Sequence, residues 1–194
     1  VTTTALTTSG RAVFSPCGTY RWWLERVWDP GGPRLLFIGL NPSRADHLHD
    51  DPTLRRLVAF ARGWGYGGLE VLNLFARVSP DPAALDRGAD PEGEANLVWI
   101  RRRLQAHAAP APIWLGWGNG GRRRGQDARV LALLTPQRAR LVCLGRTASG
   151  APLHPLYRPG ASLLWPYGAS CARSAAAAAA PWPAPPAATP SICF

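Results

Sequence analysis

The chain contains no lysine and no methionine, and all 22 of its basic residues are arginine. A formal net charge of +10 and a pI near 10.9 would ordinarily point to a polyanionic partner. Here the same bias that removes lysine also enriches Ala, Gly and Pro, as a GC-rich coding sequence does, so basicity alone is a weak pointer. Also missing is any run of the ~20 apolar residues needed to span a bilayer. Val1-Thr2-Thr3-Thr4-Ala5-Leu6 lacks the basic and apolar regions of an export signal. A cytoplasmic chain with no membrane partner is expected. Cysteines stand only at 17, 143, 171 and 193, with no C-x-x-C pair and no histidine at zinc-ligand spacing, which argues against a metal knuckle or a disulfide framework. Reduced thiols fit the cytosol. Walker A, G-x-S-x-G and H-E-x-x-H are all absent, which removes the usual phosphoryl-transfer, serine-hydrolase and zincin readings. No cofactor and no metal are expected.

What is present alternates. Residues 1–10 are small and polar and predict a frayed terminus. Residues 11–14 and 19–28 flank Ser15-Pro16-Cys17-Gly18 and predict a β-hairpin. Arg34-Leu35-Leu36-Phe37-Ile38-Gly39-Leu40 is the nearly continuous apolar run of a strand covered on both faces. Asp51 as N-cap and Pro52 at the first position predict a helix over 52–64. A strand over 69–75 follows, then a second helix beginning at Asp90-Pro91, a strand over 113–117, a helix over 126–134, a strand over 141–144 and a small edge strand over 161–165. The alternation predicts an α/β fold: a three-layer α/β/α domain over 11–168, with a central four-stranded parallel sheet and an N-terminal hairpin. Residues 169–194, with six consecutive alanines at 175–180, predict a disordered low-complexity tail.

In open parallel sheets ligands bind beyond the carboxyl ends of the strands, so the polar residues just after each strand are the candidates. After the first core strand come Asn41, Ser43, Asp46 and Asp50; Asn73 ends the second; Asn119 follows the third; His154, Tyr157 and Arg158 follow the fourth. Pro42 biases Asn41 toward an extended conformation and tethers its amide at the strand tip. That amide can orient a water or read a base edge, or it can close an Asx-type turn on nearby backbone. His154, in a Gly/Pro-rich loop, is a ligand contact or an idle loop histidine. Asp46, His47, His49, Asp50 and Asp51 form a charged segment in which a metal site is conceivable, although helix capping and solvated charge account for most of it. Trp117, Asn119, Arg122, Arg123 and Arg124 lie in a Gly-rich loop where phosphate contact and base stacking could combine, or where the arginines are simply solvated.

The motifs Ser15-Pro16-Cys17-Gly18-Thr19-Tyr20-Arg21, Gly39-Leu40-Asn41-Pro42-Ser43, Asp50-Asp51-Pro52-Thr53-Leu54, Asn73-Leu74-Phe75-Ala76 and His154-Pro155-Leu156-Tyr157 resemble the bacterial family called domain of unknown function 1643, over about residues 11–168. More distantly, Gly39-Leu40-Asn41-Pro42 and His154-Pro155 are similar to the first and second motifs of the uracil-DNA glycosylase superfamily. That resemblance implies a sheet order of 2-1-3-4 and one cleft shared by Asn41 and His154. It implies that Asn41 positions the attacking water and His154 donates to the departing base, with Asp46 or Asp50 assisting the water. Gly39, Pro42, Ser43, Asn73, Tyr157 and Arg158 would contact substrate, with Leu156 or Tyr157 as a wedge in a duplex. Ser43 and Leu156 stand where the superfamily has a glycine and a small residue. The expected partner is DNA or a nucleotide or nucleobase ligand; no specific protein partner is indicated. The expected activity is N-glycosidic hydrolysis, the alternative a non-catalytic nucleic-acid or nucleotide-binding module.

Overall fold

Leucines 35 and 36, Phe37 and Ile38 are buried because strand β3 (Arg34–Gly39) runs through the middle of the sheet with packing on both sides. In a strand successive side chains point to opposite faces. Leu35 and Phe37 accordingly pack in one cluster with Leu54, Leu57, Phe60 and Ala61 of helix α1 (Pro52–Gly63). Leu36 and Ile38 pack in the other, with Leu85 of α2 (Ala84–Arg87), Ile100 and Leu104 of α3 (Asn96–Ala106), and Val130 and Leu134 of α4 (Gln126–Leu134). These are the two cores of the α/β fold. The computed structural model describes residues 8–87, 89–107, 109–168 and 180–185.

The remaining strands are β1 (Ser9–Phe14), β2 (Arg21–Val27), β4 (Gly68–Asn73), β5 (Ile113–Leu115), β6 (Leu141–Cys143) and β7 (Trp165–Pro166). Together with β3 they form one seven-stranded sheet in the order β1-β2-β4-β3-β5-β6-β7. Contacts β4 to β3, β3 to β5 and β5 to β6 are parallel, and those of β1 with β2, β2 with β4 and β6 with β7 are antiparallel. The sheet is therefore wider than four strands. The hairpin is not an appendage: β2 bonds to the free edge of β4, an edge that would otherwise expose unpaired backbone groups. Ser9 and Gly10, expected to fray, are already in β1.

Asp51 caps α1 by accepting the Leu54 N–H at 2.8 Å, with Pro52 in the first turn. At Asp90-Pro91 the same signal starts no helix. Asp90 instead accepts the Gly93 N–H at 3.0 Å, Gly93 takes a φ of +76°, and α3 begins at Asn96. Within the stretch expected to be a disordered tail, residues 180–185 lie on the protein: the Trp182 N–H donates to the Leu164 carbonyl at 2.7 Å and its ring packs on the α1-side core. The rest of that stretch, and residues 1–7, lie outside the described residues. No helix among the described residues is long and apolar enough to cross a membrane.

Candidate functional site

Parallel pairing places the ends of β3 and β4 side by side, Gly39 opposite Asn73. The chain beyond them stays paired: Leu74 and Phe75 donate to the Gly39 and Leu40 carbonyls at 2.9 Å, and Ser79 to the Pro42 carbonyl at 2.9 Å. On the other side of β3, Gly116 donates to Ile38 at 3.0 Å and Gly118 to Pro152 at 2.8 Å, which carries the His154 loop back over the sheet. Between these segments lies a cavity of about 380 Å³, within the range of small-molecule sites. Asn41 and His154 both line it. Its floor is Phe37, and a side chain at Gly39 would meet that ring at 2.9 Å, one at Gly116 at 2.5 Å. Both positions need glycine for the floor to form.

Asn41 donates from Nδ2 to two carbonyls, Pro42 and Ser79, each at 2.9 Å. An amide oxygen cannot face two carbonyl oxygens, so this geometry fixes which end of the amide is nitrogen. The nitrogen thus holds nearby backbone, as the structural reading of this residue expected, and Oδ1 is left as an acceptor on a residue that lines the cavity. An aspartate here would set carboxylate oxygen against two carbonyls. Asn41→Asp is expected to lower stability by about 1–3 kcal/mol, the cost of leaving such groups unpaired. Urea unfolding measures it, and a change within experimental error would remove the assignment.

His154 precedes the short 3-10 turn Pro155–Tyr157 and accepts the Leu156 N–H on Nδ1 at 3.3 Å. The neutral ring therefore carries its proton on Nε2. Burial holds its pKa below the ordinary value, against the opposing pull of the Asp51 carboxylate. The result is a neutral donor at neutral pH.

Of the other expected residues, Gly39, Ser43, Asn73 and Tyr157 line the cavity, Tyr157 at its rim with 82% of its surface exposed. Pro42 is buried behind Asn41 and contributes its carbonyl. Arg158 does not line the cavity; its carbonyl accepts from Arg56. Asp46 and Asp50 are absent from the wall as well. Asp46 accepts the Leu48 and His49 N–H groups at 2.7 Å and lies 3.2 Å from His49 Nδ1, which together hold its pKa well below the carboxylate range. Asp50 pairs with Arg26 at 2.6 Å. Asp51 is the carboxylate that reaches the cavity. Among the described residues no group of three or more His, Cys, Asp or Glu is placed to hold a metal ion.

The Gly-rich loop corrects the expectation of a stacking surface. Trp117 is 2% exposed and belongs to the core, with its ring centroid 6.5 Å from that of Tyr167. Asn119 accepts from Thr147 and Ser149, each at 2.7 Å, and Arg122 donates to the Ser149 carbonyl. Arg123 pairs with Asp86 at 3.0 Å and Arg124 with Glu92 at 3.6 Å. The arginine triplet is thus engaged by the protein itself.

Sequence reasoning missed Arg21 as a site residue. It lines the cavity from the start of β2, donating to the Ala45 carbonyl at 2.8 Å and to Asn73 Oδ1 at 3.2 Å. Its one signal in the sequence is a charge set in the aromatic stretch Tyr20-Arg21-Trp22-Trp23.

A profile of the family described as protein of unknown function (DUF1643) matches residues 21–156 of the chain. No curated protein and no solved structure matches it.

Proposed function

Because the chain belongs to the DUF1643 family, its activity has to be read from the cavity itself, and we propose that this cavity binds a nucleobase or nucleotide and hydrolyses its N-glycosidic bond. One observation carries the reading. A single cavity is lined by an amide whose donors are occupied, leaving an acceptor, and by an imidazole whose acceptor is occupied, leaving a donor. N-glycosidic cleavage needs that complementary pair. Asn41 Oδ1 accepts a hydrogen bond from water, whose oxygen bonds to C1′ as the C1′–N bond breaks. The bonding electron pair leaves with the base, and the proton lost by the water ends on it. His154 Nε2–H donates to the base oxygen on which negative charge gathers, lowering the barrier. The parallel order β4-β3-β5-β6 within the sheet supports a three-layer arrangement like that of uracil-DNA glycosylases.

Incubation of the full chain with uracil-, mismatch- and damage-containing oligonucleotides, and with free nucleosides, is expected to release a free base from at least one. Release from none overturns the enzyme reading. The second reading, a binding module without catalysis, is favoured by one fact: both oxygens of Asp51 already accept backbone N–H groups, from Leu54 and Ala45. It predicts binding with no product.

The pH dependence follows from His154. A histidine whose folded pKa lies below its unfolded value near 6.5 contributes stability above that value and loses it as pH falls through the folded pKa. Protonation also turns Nδ1 into a donor facing the Leu156 N–H. Turnover is therefore expected to be level above pH 6.5 and to fall on the acid side. A pH profile of kcat/KM that rises on acidification would contradict this.

A further inference from the structure

Arg21 is 4% exposed and yet forms part of the cavity wall. Its two terminal nitrogens donate to neutral acceptors, Ala45 O and Asn73 Oδ1, and its Nε has no partner among the described residues. It makes no ion pair there either. The neighbouring cation, Arg26, is paired with Asp50. Asp51, the one acid lining the cavity among the described residues, keeps its oxygens on the N–H groups of Leu54 and Ala45. Burial lowers the Arg21 pKa to about 10, with Asp51 working against the shift, so the guanidinium is charged at neutral pH. A buried charge with no direct ion pair, balanced only by the field of an Asp51 carboxylate committed to backbone N–H groups, is costly, and it persists where something supplies a closer partner.

The neighbouring groups narrow what that partner is. Because Arg21 occupies Asn73 Oδ1, Asn73 is left with its Nδ2 donor. His154 contributes Nε2–H. The deep wall therefore offers donors and a positive charge, and the matching group accepts hydrogen bonds and is negative. We infer that Arg21 and Asn73 form a recognition subsite for an anionic oxygen group of the ligand, with Arg21 as the residue that sets the preference. This rests on the reading of the cavity as a nucleobase or nucleotide site. The anion comes either from an ionised heterocycle or from a phosphate.

Isothermal titration of the full chain at neutral pH with 5-nitrouracil, which is ionised there, with thymine, which is not, and with orthophosphate separates these cases. The expected result is that 5-nitrouracil or orthophosphate binds at least about 10-fold more tightly than thymine, the scale of one charge-assisted hydrogen bond, and that Arg21→Gln erases the difference. Whichever anion binds identifies the source. Thymine binding as well as both anions overturns the subsite and leaves the nucleobase reading standing. Binding of none of the three overturns both. Should Arg21→Gln fail to fold, Asp51→Asn keeps an N-cap acceptor while removing the opposing charge. It is expected to tighten anion binding about 3–10-fold, and unchanged or weaker binding counts against the subsite.

Discussion

His154→Ala is expected to lower the single-turnover rate of base release by about 10²–10³-fold, the usual cost of removing one donor aimed at developing negative charge, with little change in substrate affinity. The ring is held by the Leu156 N–H on Nδ1 at 3.3 Å and kept neutral by burial, so its Nε2–H is in place before charge develops. An interaction that strengthens only as the C1′–N bond breaks acts on the rate and not on binding. His154→Gln, which still carries an N–H near the same position, is expected to recover part of the loss. If His154 only shaped its loop, His154→Ala would lower the melting temperature and weaken binding, and His154→Gln would recover neither.

Trp114→Ala is expected to cost about 3–5 kcal/mol, roughly 6–20 °C in melting temperature for a domain of this size. Trp114 is fully buried on β5, and its ring centroid lies 4.8 Å from Phe37, 4.9 Å from Trp64 and 5.7 Å from Phe60. It locks α1 to the sheet and supports the ring that floors the cavity. Its indole N–H is buried without a partner among the described residues, so Trp114→Phe, which deletes that orphan donor, is expected to cost less than Trp114→Ala. Thermal unfolding of both variants measures this. A loss under about 1 kcal/mol in Trp114→Ala, well below core aromatic truncations, would show that the cluster is not the keystone of this face.

Where a signal is local the sequence was legible. Asp51-Pro52 starts α1 because the cap and the missing proline N–H act within one turn. The apolar run through 35–38 marks β3 because burial on both faces demands it. Where the deciding partner is distant, the sequence was silent. Asp90-Pro91 looks like a helix start, and only the turn at Gly93 shows why it is not one. Arg122, Arg123 and Arg124 look like an open cationic loop until the fold brings up Ser149, Asp86 and Glu92. Trp117 looks available for stacking, yet Gly121, whose missing side chain would meet the indole at 2.2 Å, lets the ring into the core.

The same holds within the site. Asp46, Asp50 and Asp51 are nearly adjacent in the chain, and their roles diverge through local geometry: one closes a loop, one pairs with Arg26, and one caps α1 and faces the cavity. The Asn41 turn and the His154 loop could be singled out because each is polar, proline-linked and just beyond a strand. Arg21 could not, since the groups that hold it, Ala45 and Asn73, lie 24 and 52 residues away.

The most direct test of the cavity as the reacting site is a crystal structure of the full chain soaked with a free base. It should place a base oxygen within about 3.2 Å of His154 Nε2 and a water within the same distance of Asn41 Oδ1, ordinary hydrogen-bond lengths. A base bound away from this cavity, or one in it that leaves both atoms untouched, would contradict the account.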